Sequence, residues 1–373
     1  MKIYADENMP LVQAFFAPLG DVSLFNGRNV TAAQLADADI LLVRSVTQVD
    51  DALLASNQKL KFVGTATIGT DHIDLGYLAS RDIAFTSAPG CNAQSVVEYV
   101  LSSLWLLAEK YQWQLSEKVV GVVGVGSIGS ILVQALQVLG IKVLQCDPLR
   151  AEREPQFEHT EFISVCQQAD IMSFHTPLHV DGRYPTKHLL NKETLALLQP
   201  HCALINASRG AVIDNAALLR DLSCAVQRRP VVLDVWEHEP DILNALLPFV
   251  DIATAHIAGH SIEGKARGTE MLYQQCCRVL QQPATTALAS LLPRPAMEKL
   301  QISPNFGLPD VQNLARLLYD VRRDDALLRN YLHSHGFDWL RKNYPPRREF
   351  SSLQLSGSLI PAYLPQLGFN LAQ

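Results

Sequence analysis

Gly124, Gly126 and Gly129 stand in the order G-x-G-x-x-G directly after a β-branched run, Val119, Val120, Val122 and Val123, and Asp147 follows about 20 residues later. Glycines at this spacing let a strand turn tightly into a helix and let the backbone approach a pyrophosphate. The phosphate charge then meets the unpaired N–H groups at the helix N-terminus. A carboxylate at Asp147 suits the hydroxyls of an adenosine ribose and repels a 2′-phosphate, and the next residue is Pro148, not an arginine. The expected ligand is therefore NAD, not NADP, with Gly124, Gly126, Ser127, Ile128, Gly129 and Asp147 as contacts. A second set of polar residues sits where apolar runs end. His175 and Thr176 follow IMSF, and Ala207, Ser208 and Arg209 follow ALIN. Asp234, Glu237, His238 and Glu239 close VVLDVWEHEP, and His256, Gly259 and His260 follow IATA. Parallel sheets bind ligands beyond the carboxyl ends of their strands, so these ends and the glycine turn are expected to share one cleft.

The elements that must position these residues read as α/β. Ile128, Leu132, Ala135, Leu136 and Leu139 recur at helical spacing, Gly140 supplies a stop, and IKVLQCD reads as a second strand, which completes a βαβ unit. Before it, KIYAD, DILLVRS, KFVGTA and IAFTSA alternate with helix-like stretches, predicting a separate small parallel-sheet domain over residues 1–98. Its strand ends carry Arg44 and Ser45, then Thr65 to Thr67. A long helix to about Trp113 follows, with Ser95 and Glu98 spaced for a capping box. SIEGKARGTEMLYQQCCRVLQ reads as a helix returning the chain to the first domain, and Pro283, Pro293 and Pro295 mark a linker. Beyond it, Leu314, Leu317, Leu318, Val321 and Leu328 are spaced for one buried helical face. Arg322, Arg323, Arg347 and Arg348 make this region locally basic, which reads as a solvated face beside an interface, with an arginine reaching toward a phosphorylated substrate as the alternative.

With 373 residues, 48% hydrophobic and 18% charged, the chain has the composition of an ordinary globular protein of two or three domains. Its net charge of −6 argues against a nucleic-acid or membrane-surface partner, and no run is long enough for a membrane span. The seven cysteines contain no C-x-x-C pair, so reduced thiols in the cytoplasm are expected. No group of histidines and carboxylates has ligand-like spacing, so no metal is expected, and His238 reads as an exposed loop residue.

Three short sequences extend the pattern beyond the glycines: SRG at Ser208 to Gly210, DVWEHEP at Asp234 to Pro240 and HIAG at His256 to Gly259. In these the chain resembles the D-isomer-specific 2-hydroxyacid dehydrogenase family. The resemblance nominates Arg209, Glu239 and His256 as catalytic residues, and places His175, Thr176, Ala207, Ser208, Arg209, Asp234 and Gly259 near NAD. Chemistry agrees with the nomination. Oxidising a secondary alcohol needs a base for the hydroxyl proton, a carboxylate to orient an imidazole, and an arginine to hold a substrate carboxylate. Longer stretches, including ADENMP, KFVGTATIGTDHID, APGCNAQSVVEYV and HIAGHSIEGKARGT, carry the resemblance over nearly the whole chain, to a branch that oxidises 4-phospho-D-erythronate at its C2 hydroxyl in vitamin B6 biosynthesis. That resemblance implies a Rossmann-type doubly wound NAD domain at 99–256 and a flavodoxin-like substrate domain at 1–98 plus 257–284. It also implies a C-terminal α+β dimerisation domain at 285–373, hence a homodimer, with Ser45, Thr67 and His260 contacting substrate. One position departs from the pattern, since a tyrosine is expected where His260 stands. Two other functions share these features: oxidation of 3-phosphoglycerate or another D-2-hydroxy acid, and an NAD-sensing corepressor-like binding protein. The intact Arg209, Glu239 and His256 set favours an enzyme.

Overall fold

In the computed structural model, which describes residues 1–372, the chain divides into two units, residues 1–92 with 261–294 and residues 93–260 with 295–372. The first unit holds β1 (Lys2–Asp6), β2 (Asp21–Phe25), β3 (Ile40–Val43), β4 (Phe62–Thr65) and β5 (Ala84–Thr86). All pair in parallel, in the order β2-β1-β3-β4-β5, which is the flavodoxin-like arrangement. ILLV and FVGT are unbroken runs because β3 and β4 are buried along their whole length, as parallel strands covered on both faces are. The helix Ile262–Val279 belongs to this unit and packs Leu272, Tyr273, Cys276 and Cys277 against Phe15, Phe16 and Phe62. The Tyr273 ring lies 5.4 and 5.7 Å from those of Phe15 and Phe16.

The second unit is built on β6 (Val119–Val123), β7 (Lys142–Cys146), β8 (Ile171–Phe174), β9 (Ala203–Asn206), β10 (Val231–Leu233) and β11 (Ile252–Ala253). These form one parallel sheet in the order β11-β10-β9-β8-β6-β7. The chain runs outward from β6 to β7, then crosses to β8 on the other side. The gap between β6 and β8 is thus the switch point where a doubly wound sheet binds its ligand. The helix Ser127–Val138 buries Leu132, Ala135 and Leu136, the face its spacing predicts.

The helix Ala93–Tyr111 begins two residues before Ser95, and the capping box expected of Ser95 and Glu98 does not form. Instead Ser95 Oγ donates to Glu349 at 2.8 Å and Glu98 accepts the Phe350 N–H at 2.8 Å, all within the protein interior. Contacts with the C-terminal region override the local signal. That region carries the helices Leu308–Arg316, Arg322–His335 and Phe337–Lys342, and a small parallel sheet of β12 (Lys299–Gln301), β13 (Gln354–Ser356) and β14 (Asn370–Leu371). Its Val311, Leu314, Phe350, Leu353 and Leu367 share one apolar cluster with Val96, Val100 and Leu104 of the long helix. The basic face expected here is only partly a surface feature. Arg322 and Arg323 pair with Asp320 and Asp324. Arg347 departs from that expectation and is buried. All seven cysteines are free thiols, and all but Cys224 are buried.

Candidate active site

The glycine turn joins β6 to its helix at the switch point. Gly124 adopts a φ of +88°, and a Cβ on Gly129 would overlap the Gly124 carbonyl, so neither position admits a side chain. Asp147, at the end of β7, reaches back to this turn. Its Oδ2 accepts the Val125 N–H at 2.9 Å and its Oδ1 accepts the Arg150 N–H at 2.9 Å, capping the helix Pro148–Arg153. The Arg150 guanidinium braces the same turn by donating to the Val125 carbonyl and Ser130 Oγ, both at 3.0 Å. Sequence reasoning passed over Arg150, which lies in no motif. A cavity of about 340 Å³ opens beside the turn, with Gly124, Asp147, Thr176, Pro177 and Leu189 among its walls.

His175 and Thr176 follow β8, across the switch point. The His175 N–H donates to the Val123 carbonyl at 2.7 Å and its Nε2 lies 2.8 Å from Ser173 Oγ. Burial pushes this imidazole down to about 3, so it is neutral at physiological pH. The buried His175 Nδ1 and Thr176 Oγ1 have no hydrogen-bond partner among the described residues. Buried polar atoms are rarely left unsatisfied, so these two are met by water or by a bound ligand. With the glycine turn and Asp147, these atoms fit a dinucleotide.

Arg209 follows β9, Glu239 follows β10 and His256 follows β11, and the three strands are neighbours in the sheet. Their carboxyl ends therefore bring the three nominated residues to one edge. Asn206 shapes the SRG turn, its Oδ1 accepting the Ser208 N–H at 3.1 Å and hydroxyl at 2.8 Å while its Nδ2 donates to the Arg209 carbonyl at 3.0 Å. A Cβ on Gly210 would run into the Trp236 carbonyl, so glycine lets this turn lie directly against the DVWEHEP loop.

His256 Nδ1 is 2.7 Å from Glu239 Oε2, and Glu239 Oε1 accepts the Trp236 N–H at 2.9 Å. An ionised carboxylate only accepts, so Nδ1 carries a proton, and in the neutral tautomer Nε2 presents its lone pair. Burial works to raise the Glu239 pKa, but the His256 charge, its hydrogen bond and the Trp236 N–H outweigh it and hold the carboxyl below its usual range. The His256 backbone is left-handed, with φ +54°, which a non-glycine residue keeps only where its surroundings enforce it. Asp234 does the enforcing. Its carbonyl accepts the His256 N–H at 2.7 Å, its Oδ1 accepts the Thr254 hydroxyl and the Ile257 N–H, both at 2.7 Å, and its Oδ2 accepts the Ala258 N–H at 3.0 Å. Asp234, expected beside NAD, is in the structure the anchor of the histidine loop.

His260 lies edge-on to Tyr344, with ring centroids 5.8 Å apart. His238 is exposed. In the first unit, Ser45 is exposed after β3, and Thr67, after the neighbouring β4, has its Oγ1 2.7 Å from Thr65 Oγ1 and donates to the Gly69 carbonyl at 2.9 Å. His188, Asp214 and Glu237, too far apart in the chain to suggest a group, place ligand-type atoms within 4.8 Å of one another. Glu237 is already engaged there, by His188 Nε2 at 2.6 Å and the Asn215 N–H at 2.9 Å.

Comparison with known proteins shows the family. Residues 92–260 match the family model described as D-isomer specific 2-hydroxyacid dehydrogenase, NAD binding domain, and residues 291–368 match one described as a domain of unknown function, DUF3410. The chain is 51% identical over 373 residues to the erythronate-4-phosphate dehydrogenase of Pseudoalteromonas translucida, covering 100% of both chains. It is 50% identical to that of Klebsiella pneumoniae, covering 99% of this chain and 98% of the other. Among solved structures, D-lactate dehydrogenase from Aquifex aeolicus with NAD and lactic acid shares the fold at a TM-score of 0.62 and 24% identity, over 75% of this chain and 95% of that one. NAD+-bound 3-phosphoglycerate dehydrogenase of Entamoeba histolytica does so at 0.64 and 20%, over 77% and 98%. The chain belongs to the D-isomer-specific 2-hydroxyacid dehydrogenase family, in its erythronate-4-phosphate dehydrogenase branch.

Proposed function

We infer that the chain is an NAD-dependent dehydrogenase that oxidises the C2 hydroxyl of 4-phospho-D-erythronate to (R)-3-hydroxy-2-oxo-4-phosphooxybutanoate, a step in pyridoxal 5′-phosphate biosynthesis. The observation that carries this reading is the His256–Glu239 pair, 2.7 Å apart on the sheet edge that bears the dinucleotide turn, in a chain half identical over its whole length to enzymes of that name. NAD, when bound, supplies the hydride acceptor. His256 Nε2 removes the proton of the C2 hydroxyl, and Glu239 stabilises the imidazolium that results. Arg209 pairs with the substrate carboxylate and stabilises charge on the C2 oxygen. Ser45 and Thr67 of the first unit and His260 of the second are included as substrate contacts. At His260 an imidazole takes the place of the expected phenol, and can still donate to a phosphate or hydroxyl.

The same reading includes a homodimer formed through the residues after 285, which the exposed Tyr331, Trp339 and Leu359 support. It also includes a cytoplasmic location, supported by seven cysteines without a disulfide. The test follows nicotinamide absorbance with NAD and either 4-phospho-D-erythronate or 3-phosphoglycerate, trapping the keto product. Turnover that prefers phosphoerythronate and falls at least about 100-fold in His256→Ala, with NAD binding kept, is the expected result. Preference for phosphoglycerate would reassign the substrate. NAD binding without turnover of any 2-hydroxy acid would overturn the reading in favour of a sensor.

A further inference from the structure

The Arg347 side chain is fully buried, and each arm of its guanidinium is committed. Nη1 donates to the Ala258 carbonyl at 2.9 Å and Nη2 to the Ser95 carbonyl at 2.6 Å. The guanidinium carbon sits 3.5 Å from the centroid of the Tyr319 ring, and Nη2 is 3.5 Å from Glu98 Oε2. Burying a cation is a costly way to fill a core, the more so here because burial favours the neutral form of the neighbouring Glu98 carboxyl and weakens it as a counter-ion, and apolar side chains of similar volume are often as stabilising or more so. What an apolar side chain cannot supply here is the two-armed bridge from the long helix, at Ser95, to the loop that carries His256.

Ala258 is two residues beyond His256. Asp234 holds its N–H, and Arg347 holds its carbonyl. The loop is therefore gripped from both sides at the point where it must keep His256 in a left-handed backbone conformation. Asp234 comes from the part of the chain matched by the dehydrogenase model, whereas Arg347 comes from the segment matched only by the domain of unknown function.

We propose that Arg347 is a positioning residue for catalysis: its guanidinium fixes the loop bearing His256, so the C-terminal region completes the active site of its own chain. The proposal rests on the reading of His256 as the base. Geometry at a base matters because a misplacement of about 1 Å can cost about 100-fold in rate.

The test uses the full-length enzyme. Arg347→Lys keeps a cation beside Glu98 and Tyr319 but loses the planar fork that spans the two carbonyls. The expected result is a kcat lowered about 10- to 100-fold, with KM for NAD within about twofold of wild type and a melting transition that stays cooperative while shifting down, because one buried carbonyl loses its donor. In Arg347→Ala, added guanidinium at non-denaturing concentration restores part of kcat, and the same addition does nothing for His256→Ala. Wild-type kcat in folded Arg347→Lys overturns the proposal, as does a fall in rate that tracks lost NAD affinity. Failure of both variants to fold also overturns it, because Arg347 then serves the core and not the loop. If His256→Ala turns over like wild type, the reading of the base fails, and that outcome is separate from any behaviour of Arg347.

Discussion

At His175 burial alone pushes the imidazole down to about 3, whereas at Glu239 a cationic neighbour and two hydrogen bonds overcome burial and keep the carboxyl ionised. The difference lies in what each group faces, and it separates a neutral imidazole from an ionised carboxyl. The sign of the His175 effect on stability follows by linkage. Between its native value of about 3 and the ordinary histidine value of about 6.5, the unfolded chain binds more protons, so stability is lost as pH falls through that window. The loss runs at up to about 1.4 kcal/mol per pH unit. His175→Gln removes it. Urea unfolding near pH 7 and near pH 5 is expected to show a gap in stability about 2 kcal/mol smaller in the variant, and equal gaps would mean that His175 titrates normally. The residue scale was also where sequence reasoning reached furthest and failed most plainly. That Arg209, Glu239 and His256 share one sheet edge was legible because each lies in a short motif directly after an apolar run. Arg347 was not, since an arginine in the pair Arg347–Arg348 carries no periodic sign of burial, and its partners Ala258, Ser95, Glu98 and Tyr319 are scattered along the chain.

Elements matter here mainly through their ends. The strands were readable because parallel strands covered on both faces must be apolar throughout, as in ILLV, FVGT and ALIN. Their polar termini then mark the binding edge. The start of the long helix was misread for a physical reason: Ser95 and Glu98 have the spacing of a cap, but the C-terminal region offers both groups stronger buried partners. The turn after β9 makes a sharper demand. Gly210 lies against the Trp236 carbonyl, in the loop that holds Glu239. Gly210→Ala is expected to cost about 1–3 kcal/mol in stability or to push that loop away, lowering kcat with little change in NAD affinity. Thermal melting and steady-state kinetics would check this, and wild-type values in both would show that the loop gives way freely.

Over the whole molecule, the C-terminal region is part of the core and not an appendage. Val311, Leu314, Phe350, Leu353 and Leu367 cover the apolar face of Val96, Val100 and Leu104, and Arg347 sits against buried Glu98. A chain ending at Arg294 would expose that face and leave Glu98 without its cation. It is expected to be insoluble, or soluble only as a loosely packed state that binds hydrophobic dyes and lacks near-UV circular dichroism. A soluble truncation with a sharp melting transition and NAD binding would contradict this account of the core.

The first unit is discontinuous in the chain, and this bears on how the protein is made. Tyr273 and its neighbours on the helix Ile262–Val279 cover Phe15, Phe16 and Phe62, yet that helix is translated about 170 residues after the first segment ends at Asn92. At ordinary elongation rates the opening strands wait roughly 10–30 s on the ribosome with their apolar surface unclosed. Throughout that interval all five strands of the first sheet are out but one apolar face lacks its covering helix, which leaves the nascent chain prone to aggregation while the dinucleotide unit is synthesised behind it.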